Sequence, residues 1–348
     1  VMQLAKDRGV DVYWFTWNVF LNGAEGKDGI PSDKGAPRTI AYFRASVRET
    51  IKTYPLLAGF GITAGESMPT DIGGMSKEKW LWKTYGEGIR DALKAEPQRK
   101  FRLIHRFHMT GLSDIQNAFA ELPCALDLSF KYAIAHMYSV PAPPFIKPVL
   151  PLLGPQLRSW LTVRNDDIYS FHWADLDYAR AFIKAIPGED QIAGFYMGTD
   201  GYLWGRDFLS KDAGTPRQTV MHKQWHSFAL WGRLAYEPDL PAVTFDRLAA
   251  AHFPGADVPK LVAVWAAASK TFPCITRFFW GDIDLKWFPE ACRRKTGFYT
   301  VRHFIEGGTM PGAGVLNIIE WRTQALSGQK QDGVTPLEIA ATLDANAT

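Results

Sequence analysis

The chain has 348 residues, is 47% hydrophobic and carries a formal net charge of +3, which suits one large α/β domain with an appendage and excludes a polyanion-tracking surface. No apolar run reaches the roughly 18 residues of a membrane span. Cys124, Cys274 and Cys292 are too few and too widely spaced for a disulfide framework or a metal cluster, while 13 tryptophans exceed the usual demand of a core and fit sugar-stacking surfaces.

Residues 1–8 have helical spacing and stop at Gly9, and residues 10–20 (VDVYWFTWNVF) read as a strand rich in β-branched and aromatic side chains. A Gly, Asp and Pro-bearing loop over 21–37 leads into an amphipathic helix over 38–54. Residues 56–69 (LLAGFGITAGESMP) form a buried strand that delivers Glu66 at its C-terminal edge. A helix with a charged outer face is expected over 76–95, a strand over 101–109 (FRLIHRFHM), a helix near Ser113 and a strand over 125–132. Six prolines between Pro141 and Pro155 forbid a regular helix or central strand there. Residues 160–165 can be extended, 167–173 (DIYSFHW) read as a strand, 175–186 as a helix N-capped near Asp175 or Asp177, and 191–197 as a further strand. Helices are expected over 218–234, 245–252 and 258–268 without a further strand, and a polar, fraying end from about Gly328.

Strands alternating with helices imply a parallel sheet, and the predicted fold is α/β, a (β/α)8 TIM-type barrel over 1–215 with a mainly α-helical region over 216–348. Six strands are countable where a barrel needs eight. One or two βα units are therefore expected ahead of Val1, which would make the Glu66 strand the fourth.

In a barrel the carboxyl ends of the strands carry the chemistry. Those ends collect Trp17 and Asn18, then Glu66, then Arg106 and His108, then Lys131 with His136 and Tyr138, then His172 and Trp173, then Asp200 with Tyr202, Trp204 and Arg206. Indoles offer stacking faces to pyranose rings, and two carboxylates can break a glycosidic bond, one as general acid and one as base or nucleophile. Glu66 and Asp200 are the candidates. The Thr199-Asp200-Gly201 sequence suits a tight turn equally well, and Asp175 suits an N-cap better than catalysis.

Arg106, Lys131, Arg206 and a protonated His108 or His172 would suit a uronate or sulfate, although Arg106 and Lys131 could instead pair with the carboxylates. His105 is expected to point away from His108 and pack in the core or under the helices. His222 and His226 stand at i, i+4, but without a Glu after the first His they read as packing rather than metal ligation. No phosphate-cradling loop, nucleophile elbow or dinucleotide fingerprint occurs, so no cofactor or metal is expected.

The GITAGE strand end and the segment LWGRLAYEPDLP (230–241) resemble the α-glucuronidases, barrel glycoside hydrolases that remove uronic acid from plant polysaccharides. The segment FYMGTDGYLWGRDF (195–208) is similar to barrel proteins of polysaccharide-degrading bacteria. The resemblance implies a general acid at Glu66, a carbohydrate substrate and a secreted or periplasmic setting; it supplies no match for the base, so Asp200 rests on the residues alone. Two further readings stay open: a polysaccharide lyase in which Lys131, His136 or Tyr138 abstracts the proton beside a uronate carboxylate, and a carbohydrate-binding protein without catalysis.

Overall fold

The computed structural model describes residues 1–17, 19, 21, 23–63, 68–131, 140–164, 174–198, 222, 224–280, 293–294 and 297–347. The chain divides into two compact units, Val1–Lys131 with Val149–Leu161 and Gly188–Phe195, and Tyr132–Pro148 with Thr162–Pro187 and Tyr196–Thr348. No helix among the described residues is long and apolar enough to cross a membrane.

The main sheet has six strands, β1 (Val12–Trp17), β2 (Leu57–Thr63), β3 (Arg102–Phe107), β4 (Ala125–Phe130), β5 (Ser159–Arg164) and β6 (Ile192–Gly198), and they lie side by side in that order. Every pairing from β1 to β5 is parallel. The expected closed eight-stranded barrel is thereby corrected: the sheet is a six-stranded half-barrel whose edges are β1 and β6, and no ladder joins those edges among the described residues. The strand that ends at Thr63, three residues before Glu66, is the second of the six in this sheet. The strand after the proline-rich excursion is 159–164, whereas 167–173 lies outside the described residues.

Alternation along the strands separates two faces. Phe60, Ile62, Leu103, Leu128 and Leu161, each at most 5% exposed, occupy one. Helix Pro37–Thr53, with Pro at its first position, buries Thr39, Phe43, Val47 and Ile51 at four-residue spacing, the stripe a surface helix turns inward. A continuous helical run follows β2: Lys77–Leu81, a π-helical turn Trp82–Gly86, and Glu87–Leu93. Its Trp80 is fully buried edge-on to Phe43, with ring centroids 5.3 Å apart, and its indole donates 2.7 Å to the Lys34 carbonyl. The opposite face carries Tyr13, Phe15, Gly59, Gly61, Arg102, Arg106, Asp127, Ser129 and Trp160.

The excursion between β4 and β5 forms 3-10 turns at Pro144–Ile146 and Leu150–Leu152, as its prolines require. In the second unit, helix Leu176–Lys184 is N-capped by Asp175, whose carboxylate accepts from the Tyr178 amide at 3.1 Å. Its Phe182 meets Trp231 of helix Trp225–Tyr236 edge-on at 5.3 Å. Helices Ala242–His252, Val258–Phe278, Val301–Glu306 and Ile318–Leu326 follow. Where no strand was expected, a short hairpin pairs Arg293–Arg294 with Gly297–Phe298. The polar end also differs from expectation. Helix Pro336–Ala347 packs on Val258–Phe278 and buries Ile339, and Thr335 and Glu338 exchange hydrogen bonds at its start.

Ile62 is fully buried on the helix-covered face. Ile62→Ala is expected to cost about 2–5 kcal/mol and Ile62→Val about 0.5–1.5 kcal/mol, measured by urea unfolding followed by circular dichroism. Equal costs would show that the site collapses around the smaller side chain.

Candidate active site

Because the strands lie in sequence order, the carboxyl ends of β1 to β4 are neighbours along one edge of the first unit. Trp17 closes β1 and pairs with Thr63, the last residue of β2. Arg106 pairs with Ser129 near the ends of β3 and β4, His108 follows β3 with its amide donating 3.1 Å to the Arg106 carbonyl, and Lys131 directly follows β4. The sheet thus brings Trp17, Arg106, His108 and Lys131 to one rim. Arg106, His108 and Lys131 are all half-buried there. Asn18, Glu66, His136, Tyr138, His172, Trp173, Asp200, Tyr202, Trp204 and Arg206 lie outside the described residues. In sequence, Glu66 follows the end of β2 by three residues and Asp200 follows the end of β6 by two.

Beneath this rim lies a polar cluster that the sequence reading assigned to an exposed helix face. Lys77 and Glu78, in the first turn of the helix after β2, are 6% and 3% exposed. Glu78 Oε2 lies 2.8 Å from His105 Nε2, and its Oε1 accepts 2.7 Å from the Thr110 hydroxyl. Lys77 Nζ donates 2.8 Å to the carbonyl of Met109, whose φ of 55° is left-handed. The helix therefore holds the loop after β3 at Met109 and at the residue that follows it. Burial alone would raise the Glu78 carboxyl, but hydrogen bonding and charge from His105, together with Thr110 and Lys77, outweigh it and hold the carboxyl below its usual value. His105, 2% exposed, packs under the helices as alternation with His108 requires.

A second cluster lies lower on the polar face. Asp127, 4% exposed in mid-strand, takes the Arg102 guanidinium and a 2.8 Å hydrogen bond from the Trp160 indole. Tyr13, whose hydroxyl is raised by burial and by Asp11, hydrogen-bonds Arg102. A charged residue inside the apolar run ALDLSF was the signal that could have revealed this layer. Arg102 is thereby committed to a structural ion pair.

Burial pushes the Cys124 thiol up to about 12 and raises that of Cys274, so neither is a poised nucleophile. The described residues contain no His, Cys, Asp or Glu group that could hold a metal. His226 is buried against the rings of Trp225 and Trp265. A cleft of about 370 Å³ lies at the amino ends of β1 and β2 beside Val10, Leu57 and Arg99, and one of about 450 Å³ lies outside the sheet beside Trp82, Asp114 and Asn117. Neither adjoins the carboxyl ends, where ligands of open parallel sheets bind.

The segment 230–241 has a structural explanation within the second unit. Leu230, Trp231 and Leu234 are fully buried, and the turn beyond is held by Arg180, which donates 3.0 Å to the Pro238 carbonyl and 2.7 Å to that of Leu240.

No protein-family model matches the chain, and no curated protein does. The fold is similar to that of a solved structure described as a GH138 enzyme targeting pectin rhamnogalacturonan II, with a TM-score of 0.77 and 19% identity over 99% of this chain. The chain spans 42% of the length of that structure. At this identity the likeness is one of fold.

Glu78→Gln removes the charge but not the shape, and is expected to cost about 1–3 kcal/mol at pH 7. The carboxyl is depressed in the folded state, so its contribution is present above the ordinary value of 4.5 and is lost as pH falls through the folded value. The Tm gap between wild type and variant should therefore narrow on acidification from pH 5. A gap unchanged down to pH 3 would show that the charge does not hold the loop.

Proposed function

We propose that the chain carries a glycoside hydrolase site for an acidic polysaccharide at the carboxyl ends of its sheet strands. The observation that carries the reading is the fold likeness, across 99% of this chain, to an enzyme that targets rhamnogalacturonan II. GH138 denotes a class of glycoside hydrolases, and its pectic target is acidic. The glycan-oriented residue set supports the same substrate class from the opposite direction: a neutral sugar has no use for several cations on one rim.

In this reading Glu66 protonates the glycosidic oxygen as the bond to the anomeric carbon breaks, and Asp200 acts either as base toward water or as nucleophile at that carbon. Arg106, His108, Lys131 and Arg206 hold the uronate carboxylate, and Trp17, Trp173 and Trp204 supply stacking faces. Asn18, His136, Tyr138, His172 and Tyr202 bind hydroxyls. The resemblance of GITAGE to α-glucuronidases favours a uronic acid as the sugar at the cleaved bond.

Glu66→Gln is expected to lower hydrolysis of rhamnogalacturonan II oligosaccharides by about 10²- to 10⁴-fold without changing Tm. Unchanged turnover would remove Glu66 from the acid role. Products should carry new reducing ends and no ultraviolet absorbance; absorbing, unsaturated products would establish a lyase instead. Arg106→Leu should raise KM at least about tenfold with a smaller change in kcat, whereas loss confined to kcat would place Arg106 away from the bound carboxylate.

A further inference from the structure

The cleft of about 450 Å³ on the outside of the first unit is built from two helical segments, the run that begins at Lys77 and the helix Leu112–Ala118 with the turn after it. Its size falls in the range of small-molecule sites, and all of its lining lies among the described residues. One wall is Trp82, the first residue of the π-helical turn Trp82–Gly86. Single π-turns inside α-helices are rare and occur mostly at functional sites.

The Trp82 indole is fixed in place. A Cβ built on Gly86 would lie 2.1 Å from it, so the ring rests in space that only glycine leaves. Phe119, 3% exposed, meets it edge-on at 5.8 Å, and the Arg90 guanidinium stands 5.3 Å from the ring centroid. Trp82 nevertheless stays half-buried where it lines the cleft.

The polar side chains beside it have little to do within the fold. Lys79 offers donors, Asp114 acceptors and Asn117 both, and none of these three side chains has a hydrogen bond or ion pair among the described residues. Glu121 lies 3.2 Å from the Arg90 guanidinium, and Lys79 and Asp114 are of opposite sign. The cleft therefore has no surplus of charge to hold an anion. A rigid indole beside donors and acceptors in balance suits an uncharged ring with C–H groups on its face and hydroxyls on its edge.

We propose that this cleft is a second glycan site, which holds uncharged sugar residues of the polymer away from the strand ends. Trp82 is its stacking wall, and Asp114 and Asn117 bind the hydroxyls. Holding one part of a polymer raises the local concentration of the rest at the strand ends, so the cleft acts on affinity for long substrates and not on the chemical step.

The choice of a glycan rests on the hydrolase reading, and one probe separates their failures. Rhamnogalacturonan II oligosaccharides whose carboxyl groups have been reduced to alcohols keep their sugar rings and lose their charge. Calorimetry should show the wild type binding this reduced probe, with affinity about tenfold weaker in Trp82→Ala and in the double change Asp114→Ala with Asn117→Ala. On the intact oligosaccharides both variants should keep kcat and show a raised KM. Positions 114 and 117 are exposed, so the double change decides the matter if Trp82→Ala does not fold. Wild-type affinity for the reduced probe in either folded variant would overturn the cleft, as would a wild type that does not bind the probe, whether or not the intact oligosaccharides are cleaved. Binding of the probe that depends on Trp82, without cleavage of the intact oligosaccharides, would support the cleft and sink the hydrolase.

Discussion

The register of β2 between β1 and β3 is the constraint on which the described edge depends. With Gly59 opposite Tyr13 and Arg102, the glycines turn to the polar face, and Phe60 and Ile62 turn under the helices. A slip of one residue would exchange the two sets, placing Phe60 and Ile62 where the β1 rings lie and leaving no side chain to fill the helix-covered core. The buried positions of Ile62, Leu103 and Leu128 hold that register, because each is at most 1% exposed against the helices. Packing on one face thus decides what the other face can present.

The same division assigns different tasks to the charges. Asp127 and Arg102 form an ion pair within the sheet, Glu78 and His105 meet at 2.8 Å in the layer beneath the helices, and Arg106 sits closer to the strand end than either pair. Buried charges survive only when partnered. Arg106 is half-buried near the carboxyl end of β3.

Strands whose two faces differ strongly in composition were legible from sequence. LAGFGIT and RLIHRF were both expected as strands; RLIHRF lies within two residues of its expected bounds, whereas LAGFGIT starts one residue after its expected start and ends at Thr63, short of the expected 69. SWLTVR was weaker because Ser159 occupies a buried position, and closure of the sheet was not legible at all, since pairing between first and last strands leaves no local period. Lys77 and Glu78 were misplaced for a related reason. In SKEKW they look like the solvated flank of a helix, and only the arrival of His105 and the 109–110 loop from the next strand makes their burial affordable. Along β1, the pairing of Phe15 with Gly61, 46 residues away, left no local mark in either segment.

The Glu78–His105 pair also bears on how chains of this fold can diverge. Its partners come from consecutive βα units and lie 27 residues apart, yet either one changed alone leaves a polar group stranded in a dry layer. Positions 78 and 105 should therefore vary together or stay fixed together. An apolar pair in their place would keep the layer packed but release Thr110, so such chains would be expected to carry a differently anchored loop after β3 and with it a different choice of side chain at position 108.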